Sequence, residues 1–154
     1  EKTSPSTLRI AGLLHNLGLV WLADSASESA TEAFDMLIQN PDLSLDDAFR
    51  KSVGMTIPEA SAFVLNSLSI PEEICITIAN QGNVGYLGPY ATEVQILSLS
   101  RSLMNSKRID NELSDNENLL LNSLGLNEEA VLSVIGKVRI KSDSIIQLSR
   151  LISQ

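Results

Sequence analysis

Five prolines, Pro5, Pro41, Pro58, Pro71 and Pro89, each stand at the edge of an apolar periodic segment, where a residue without an N–H costs a helix least. Between them the chain reads as a succession of helices. Ser6 or Thr7 opens the first, in which Leu8, Ala11, Leu14, His15, Gly18 and Trp21 recur at the spacing that puts them on one face. A second runs about Glu28 to Gln39, with Ala30, Ala33, Phe34, Leu37 and Ile38 as its stripe. Ser44, with Asp47 three residues on, has the form of a capping box and opens a short helix that Gly54 ends. Pro58 begins the next, whose apolar side is Ala62, Phe63, Leu65 and Leu68, with Ser61, Asn66 and Ser67 toward water. Pro71, Glu72 and Glu73 form an acidic first turn that suits the helix dipole, so Ile74 to Asn80 continues as helix.

Gln81 to Pro89 holds Gly82, Gly85 and Gly88 and is the one long loop, with Tyr86 and Tyr90 within or beside it. Exposed tyrosines on such a loop make a contact surface, although Tyr90 can equally cap the core beneath. From Ala91 to Asn105, Val94, Ile96, Leu97, Leu99, Leu103 and Met104 fit a helix buried over a broad face. A polar connector, Ser106 to Asn118, precedes a short helix about Leu119 to Leu124, stopped by Gly125, and Asn127 with two glutamates starts a last helix toward Leu151. No segment alternates long enough to demand a strand; the β-branched runs Ile74 to Ile78 and Val138 to Ile140 are the places where this reading is weakest. The expectation is an all-α bundle of seven to eight helices without a sheet, in a single domain over residues 1–154.

Composition narrows the function. Eleven Lys and Arg against nineteen Asp and Glu give a net charge of −8, which disfavours nucleic acid and anionic lipid as partners. The longest apolar stretch, Ile10 to Ala23, is broken by His15 and Asn16 and falls short of the roughly twenty residues a membrane span needs. No signal peptide or anchor is visible. The single cysteine, Cys75, excludes an internal disulfide, and its apolar surroundings read as a buried thiol, in keeping with a cytoplasmic setting. His15 is the only histidine, so nucleophile–base chemistry and a multi-ligand metal site both lack partners. A histidine on a helix beside leucines is most simply a packed, hydrogen-bonded residue. No cofactor is called for.

The string Ala11-Gly12-Leu13-Leu14-His15-Asn16-Leu17-Gly18 is similar to the AGLLHDIG signature of the HD superfamily, and in particular of the HD-related output domain, HDOD. Gly54 followed by Glu59, Ala62, Phe63 and Leu65 resembles that family's GxxHxExGxxLL helix. Ile70-Pro71-Glu72-Glu73-Ile74 resembles its LPEEI turn, and Leu124 to Glu129 its LGLSEEE segment. The resemblance implies an HD-like helical bundle serving bacterial signal transduction, with other signalling proteins or an attached sensor or receiver domain as partners. It also implies where a metal would sit in catalytic relatives, and there the chain departs. The His-Asp doublet is His15-Asn16, the next histidine falls on Ile57, the following pair on Gln81 and Gly82, and the last aspartate on Arg101. An amide, an alkyl group and a guanidinium are poor substitutes for ligands of a divalent ion, so the expectation is a non-catalytic module with no metal.

Two other readings follow from the same residues. Arg101, His15, Asn16 and Gln81 would bind an anion or nucleotide phosphate if they converged, and a divergent metal-dependent phosphohydrolase is the enzyme alternative. Family members usually carry further helices ahead of the first motif, so the chain resembles the C-terminal half of such a domain. Leu8, Leu13 and Trp21 would then lack cover, and oligomerisation would bury them. The loop Gln81 to Tyr90 and the acidic connector Asp110 to Glu117 are the expected contact surfaces.

Overall fold

A computed structural model describes residues 3–105 and 113–152, with Asn105 and 143–152 by backbone alone. Nine helices and no strand occur among the described residues: α1 (Pro5–Leu14), α2 (Leu17–Ser25), α3 (Ser27–Gln39), α4 (Leu45–Ser52), α5 (Ile57–Ser67), α6 (Glu72–Ala79), α7 (Ala91–Asn105), α8 (Asp115–Leu124) and α9 (Glu128–Ile152). The chain is all-helical, as the periodicity implies. Both β-branched runs are helical, within α6 and α9. The ninth helix arises because the expected opening helix is broken at His15 and Asn16 into α1 and α2.

Local chemistry accounts for most boundaries. Ser4 caps α1, accepting from the Thr7 N–H, and Pro5 occupies the first helical position. Thr56 and Glu59 form a reciprocal capping box on α5, and Ser114 and Glu117 form another on α8. The second box corrects the sequence reading, since Asp115 to Asn118 belong to a helix rather than to the polar connector. The rest of that connector, residues 106–112, lies outside the described residues. Glu117 is fully buried rather than displayed, and its carboxylate accepts from Ser102 Oγ and from the Ser114 hydroxyl and N–H, each at 2.8 Å. Gly125 ends α8 in the left-handed region at φ 63°, where a Cβ is disfavoured.

Two compact units divide the chain, Glu1–Ser98 and Leu99–Gln154. In the first, α5 lies at the centre and serves two apolar clusters. Its Ile57 and Ala60 pack with Leu22 of α2, Ala30 and Ala33 of α3, and Ala48 and Phe49 of α4. Its Leu65 packs with Ala11 of α1, Ile74, Cys75 and Ile78 of α6, and Leu97 of α7. The Cys75 thiol donates to the Ile70 carbonyl, and burial pushes its pKa up, which keeps it an unreactive thiol.

Ala62 and Leu65 are buried and Asn66 and Ser67 exposed, as the sequence suggests for α5, but three neighbouring positions depart from it. Ser61 is fully buried while Phe63 and Leu68 are exposed. The reason is a close crossing: a Cβ on Gly18 of α2 would land on Ser61 N and Ile57 O and stand 2.8 Å from the Ala60 carbonyl carbon. Ser61 lies at that crossing, and its hydroxyl is satisfied there by backbone groups. Gly18→Ala is therefore expected to destabilise the fold by about 1–3 kcal/mol or more through overpacking, measured by chemical denaturation; an unchanged midpoint would contradict the crossing.

At the exposed start of α5, Glu59 accepts the Thr56 N–H and meets Arg50 at 2.7 Å. The Thr56 N–H first, and the Arg50 guanidinium with it, hold the Glu59 carboxyl below its ordinary value. A depressed folded pKa supplies stability that is present above the unfolded pKa and lost as pH falls through the folded one. Glu59→Gln should cost about 0.5–1 kcal/mol at neutral pH, a small figure because the pair is half exposed. The deficit relative to wild type should vanish in titrations carried below the usual carboxylate range.

Candidate functional site

The break between α1 and α2 is the most constrained polar feature of the first unit. His15 keeps helical angles, but Asn16 turns to φ −109°, ψ 12°, and the Leu19 N–H bonds to Asn16 O at 3.0 Å. In a continuous helix that N–H would serve the His15 carbonyl. The freed carbonyl is instead met by two side chains from distant elements, Gln81 Nε2 at 3.0 Å and Ser61 Oγ at 3.1 Å. Ser61 Oγ also accepts from the Gly18 N–H at 2.8 Å and lies 2.9 Å from Ile57 O, so its one proton is shared between two carbonyls.

Around this carbonyl the structure brings His15, Ile57 and Gln81 together, each in a different chemical state. The His15 ring is half-buried, and its Nδ1 lies 2.8 Å from the Gly12 carbonyl. A carbonyl can only accept, so Nδ1 carries the proton and Nε2 is the outward nitrogen. Asn16 is exposed and makes no capping bond. Ile57 is buried in the first apolar cluster. Gln81 is 2% exposed. Its Oε1 is buried without a hydrogen-bond partner among the described residues, while its amide nitrogen is committed to His15. Arg101 is half-buried on the part of α7 that belongs to the second unit. Ser61 is the member the sequence reading missed. The signal for it was a small hydroxyl residue four positions after Ile57, the spacing for a bond back to a helical carbonyl.

The loop after α6 begins at this clamp. Asn83 Oδ1 accepts the Gly85 N–H at 3.2 Å, making a local turn. Tyr86 is half-buried, and its ring folds over Gly88, where a Cβ would strike the phenol oxygen. Tyr90, also half-buried, takes φ 60°, and its carbonyl accepts the Val94 N–H at the start of α7. Both tyrosines are therefore partly covered, in keeping with the capping alternative for Tyr90. The side chain that stands out is Leu87, 89% exposed. Leu13 is exposed as anticipated, whereas Leu8 and Trp21 are half-buried, Trp21 lying against Phe63 with ring centroids 5.4 Å apart.

No group of three His, Cys, Asp or Glu side chains that could hold a metal ion occurs among the described residues. The clamp itself makes a sharp prediction. Gln81→Glu places an acceptor against the His15 carbonyl and should destabilise by several kcal/mol, on the order of a buried polar group without its partner. The folded pKa of that new carboxyl would be raised, so the loss should be full at neutral pH and shrink as acid protonates the group. Gln81→Leu, which also removes the unpartnered Oε1, should cost less. Equal effects for the two variants in denaturation would argue against the clamp.

The sequence profile of the HDOD domain matches residues 1–84. No curated protein matches the chain significantly. The fold is similar to the crystal structure of a protein from Marinobacter aquaeolei VT8, provisionally named a signal transduction protein, with a TM-score of 0.83 and 24% sequence identity. That similarity covers 99% of this chain and 34% of the other, so the chain spans about a third of its structural neighbour's length.

Proposed function

The chain belongs to the HDOD domain family, and from that premise we propose that it is a non-catalytic regulatory module of bacterial signal transduction, acting by binding another signalling protein or an attached sensor or receiver domain. The observation that carries this reading is the state of the His15 cluster. In catalytic HD relatives the corresponding positions would supply ligands to a divalent ion, and the groups present here do not fit one. Ile57 offers an alkyl side chain to the core. Gln81 gives its amide nitrogen to a backbone carbonyl, and His15 gives Nδ1 to another. Polar groups that satisfy each other inside a fold hold helices in place, and here they fix where α1 ends and where the loop after α6 begins.

The contact surface in this reading is that loop, with Leu87 projecting from a turn anchored at Gln81 and Tyr90. An exposed aliphatic side chain on a rigidly based loop fits a partner's apolar pocket. No described helix is long and apolar enough to cross a membrane, and the site of action proposed is the cytoplasm. The anion-pocket reading of His15, Asn16, Gln81 and Arg101 is the weaker one, because the group Gln81 leaves over is an oxygen acceptor, which repels anions.

Two measurements test the proposal. Calorimetric titration with manganese or zinc, together with a phosphodiester hydrolysis assay, should show neither stoichiometric binding nor turnover; a stoichiometric ion with turnover overturns it in favour of the hydrolase. In the full-length protein, Leu87→Asp should reduce the signalling response about tenfold or more if Leu87 is an interfacial anchor, with the melting temperature unchanged.

A further inference from the structure

The break between α1 and α2 has no local cause. Neither His15 nor Asn16 is a proline or a glycine, the residues that usually kink a helix. Asn16 stands at the N-cap of α2 and makes no side-chain capping bond. Leu8, Ala11, Leu14, His15, Gly18 and Trp21 keep helical spacing straight through it. Leu14 and Leu17, on either side, pack against the same apolar cluster, and a three-residue spacing leaves both on one face of an unbroken helix as well. What holds the break is tertiary, the bonds of Gln81 and Ser61 to the His15 carbonyl.

That hold is a modest one. The single Ser61 proton is shared with Ile57 O, so Gln81 Nε2 is the main donor. Gln81 is itself half satisfied, since its Oε1 is buried without a partner, a cost that exposure to water removes. The chain also carries a competing donor. The Leu19 N–H bonds to Asn16 O at 3.0 Å, and turning it back one residue to His15 O restores the regular helical pattern. The two hydrogen-bond registers therefore differ by few bonds, all of them inside the first unit.

We infer that the α1–α2 break is a two-state hinge coupled to the loop after α6. In the described register Gln81 and Ser61 hold His15 O. In the other, the Leu19 N–H bonds to His15 O, α1 runs on into α2, Ser61 keeps its proton on Ile57 O, and the Gln81 amide turns to water. The loop then loses its side-chain anchor at the Gln81 end and keeps the one at Tyr90, whose carbonyl accepts the Val94 N–H. A partner with unequal affinity for the two loop states selects the matching state of α1. This last step rests on the loop's proposed role in contact; the hinge does not, and it is measured without a partner.

Chemical-exchange saturation transfer by NMR reads both ends of the device in the chain alone. Position 16 is expected to exchange with a minor state of helical carbon shifts, and the amides of residues 82–88 with a minor state of the same population and rate. Gln81→Leu should raise that population about fivefold or more, the worth of one hydrogen bond. Asn16→Ala alters an exposed side chain that makes no capping bond. It should raise the population about two- to threefold through helix propensity alone, at the distant loop as much as at the break. No exchange at position 16 in either variant overturns the hinge, as does a population that Asn16→Ala leaves unchanged. Different populations at the break and at the loop overturn the coupling.

Discussion

A backbone carbonyl released from its own helix and held by two side chains from elsewhere organises the first unit. His15 O loses its helical donor because Leu19 turns its N–H to Asn16, and a buried carbonyl left unpaired would cost about 1–3 kcal/mol. Gln81 and Ser61 meet that demand at 3.0 and 3.1 Å. In doing so they tie the α1–α2 break to the end of α6 and to the middle of α5. The same serine takes the Gly18 N–H, and the absent Cβ at Gly18 lets α2 approach α5 closely enough for that bond. Remove any one of these and the others lose their geometry.

From that crossing follows the two-sided role of α5. One end of the helix contributes Ile57 and Ala60 to the cluster of α2, α3 and α4, and the other end contributes Leu65 to the cluster of α1, α6 and α7. A helix that is buried on both sides leaves little of itself for solvent, yet Phe63 remains exposed on it and Leu68 at its C-cap. At the crossing the His15 carbonyl, Ser61 and Gln81 bond to one another between helices. The exposed parts of the first unit include the loop after α6, where Leu87 is 89% exposed.

Much of the helical framework was legible from the sequence, because the signals that set helix ends act within a few residues. Prolines at first turns, Ser44 as a cap, Gly125 as a terminator and Asn127 ahead of α9 all lie where the sequence placed them. The misreadings have a common cause. Ser61 is polar yet buried and Phe63 apolar yet exposed, because place at the crossing with Gly18 outweighs polarity. The continuous opening helix was expected because Leu14, His15 and Gly18 keep helical spacing across the break. Asp115 to Asn118 have the polar composition of a connector, yet Glu117 is the buried acceptor of a capping box.

By itself the sequence determined the helical class, most helix starts and stops, and a motif similar to that of the HDOD family. Those rest on interactions spanning three or four residues, which a linear pattern records. Tertiary structure alone decided which side of α5 is buried, that the first helix breaks at His15, and that Leu87 rather than the tyrosines stands out from the loop. The first two depend on groups far apart in the chain, Gly18 with Ser61 across 43 residues and Gln81 with His15 across 66, and a one-dimensional pattern does not state which distant side chain will answer a freed carbonyl.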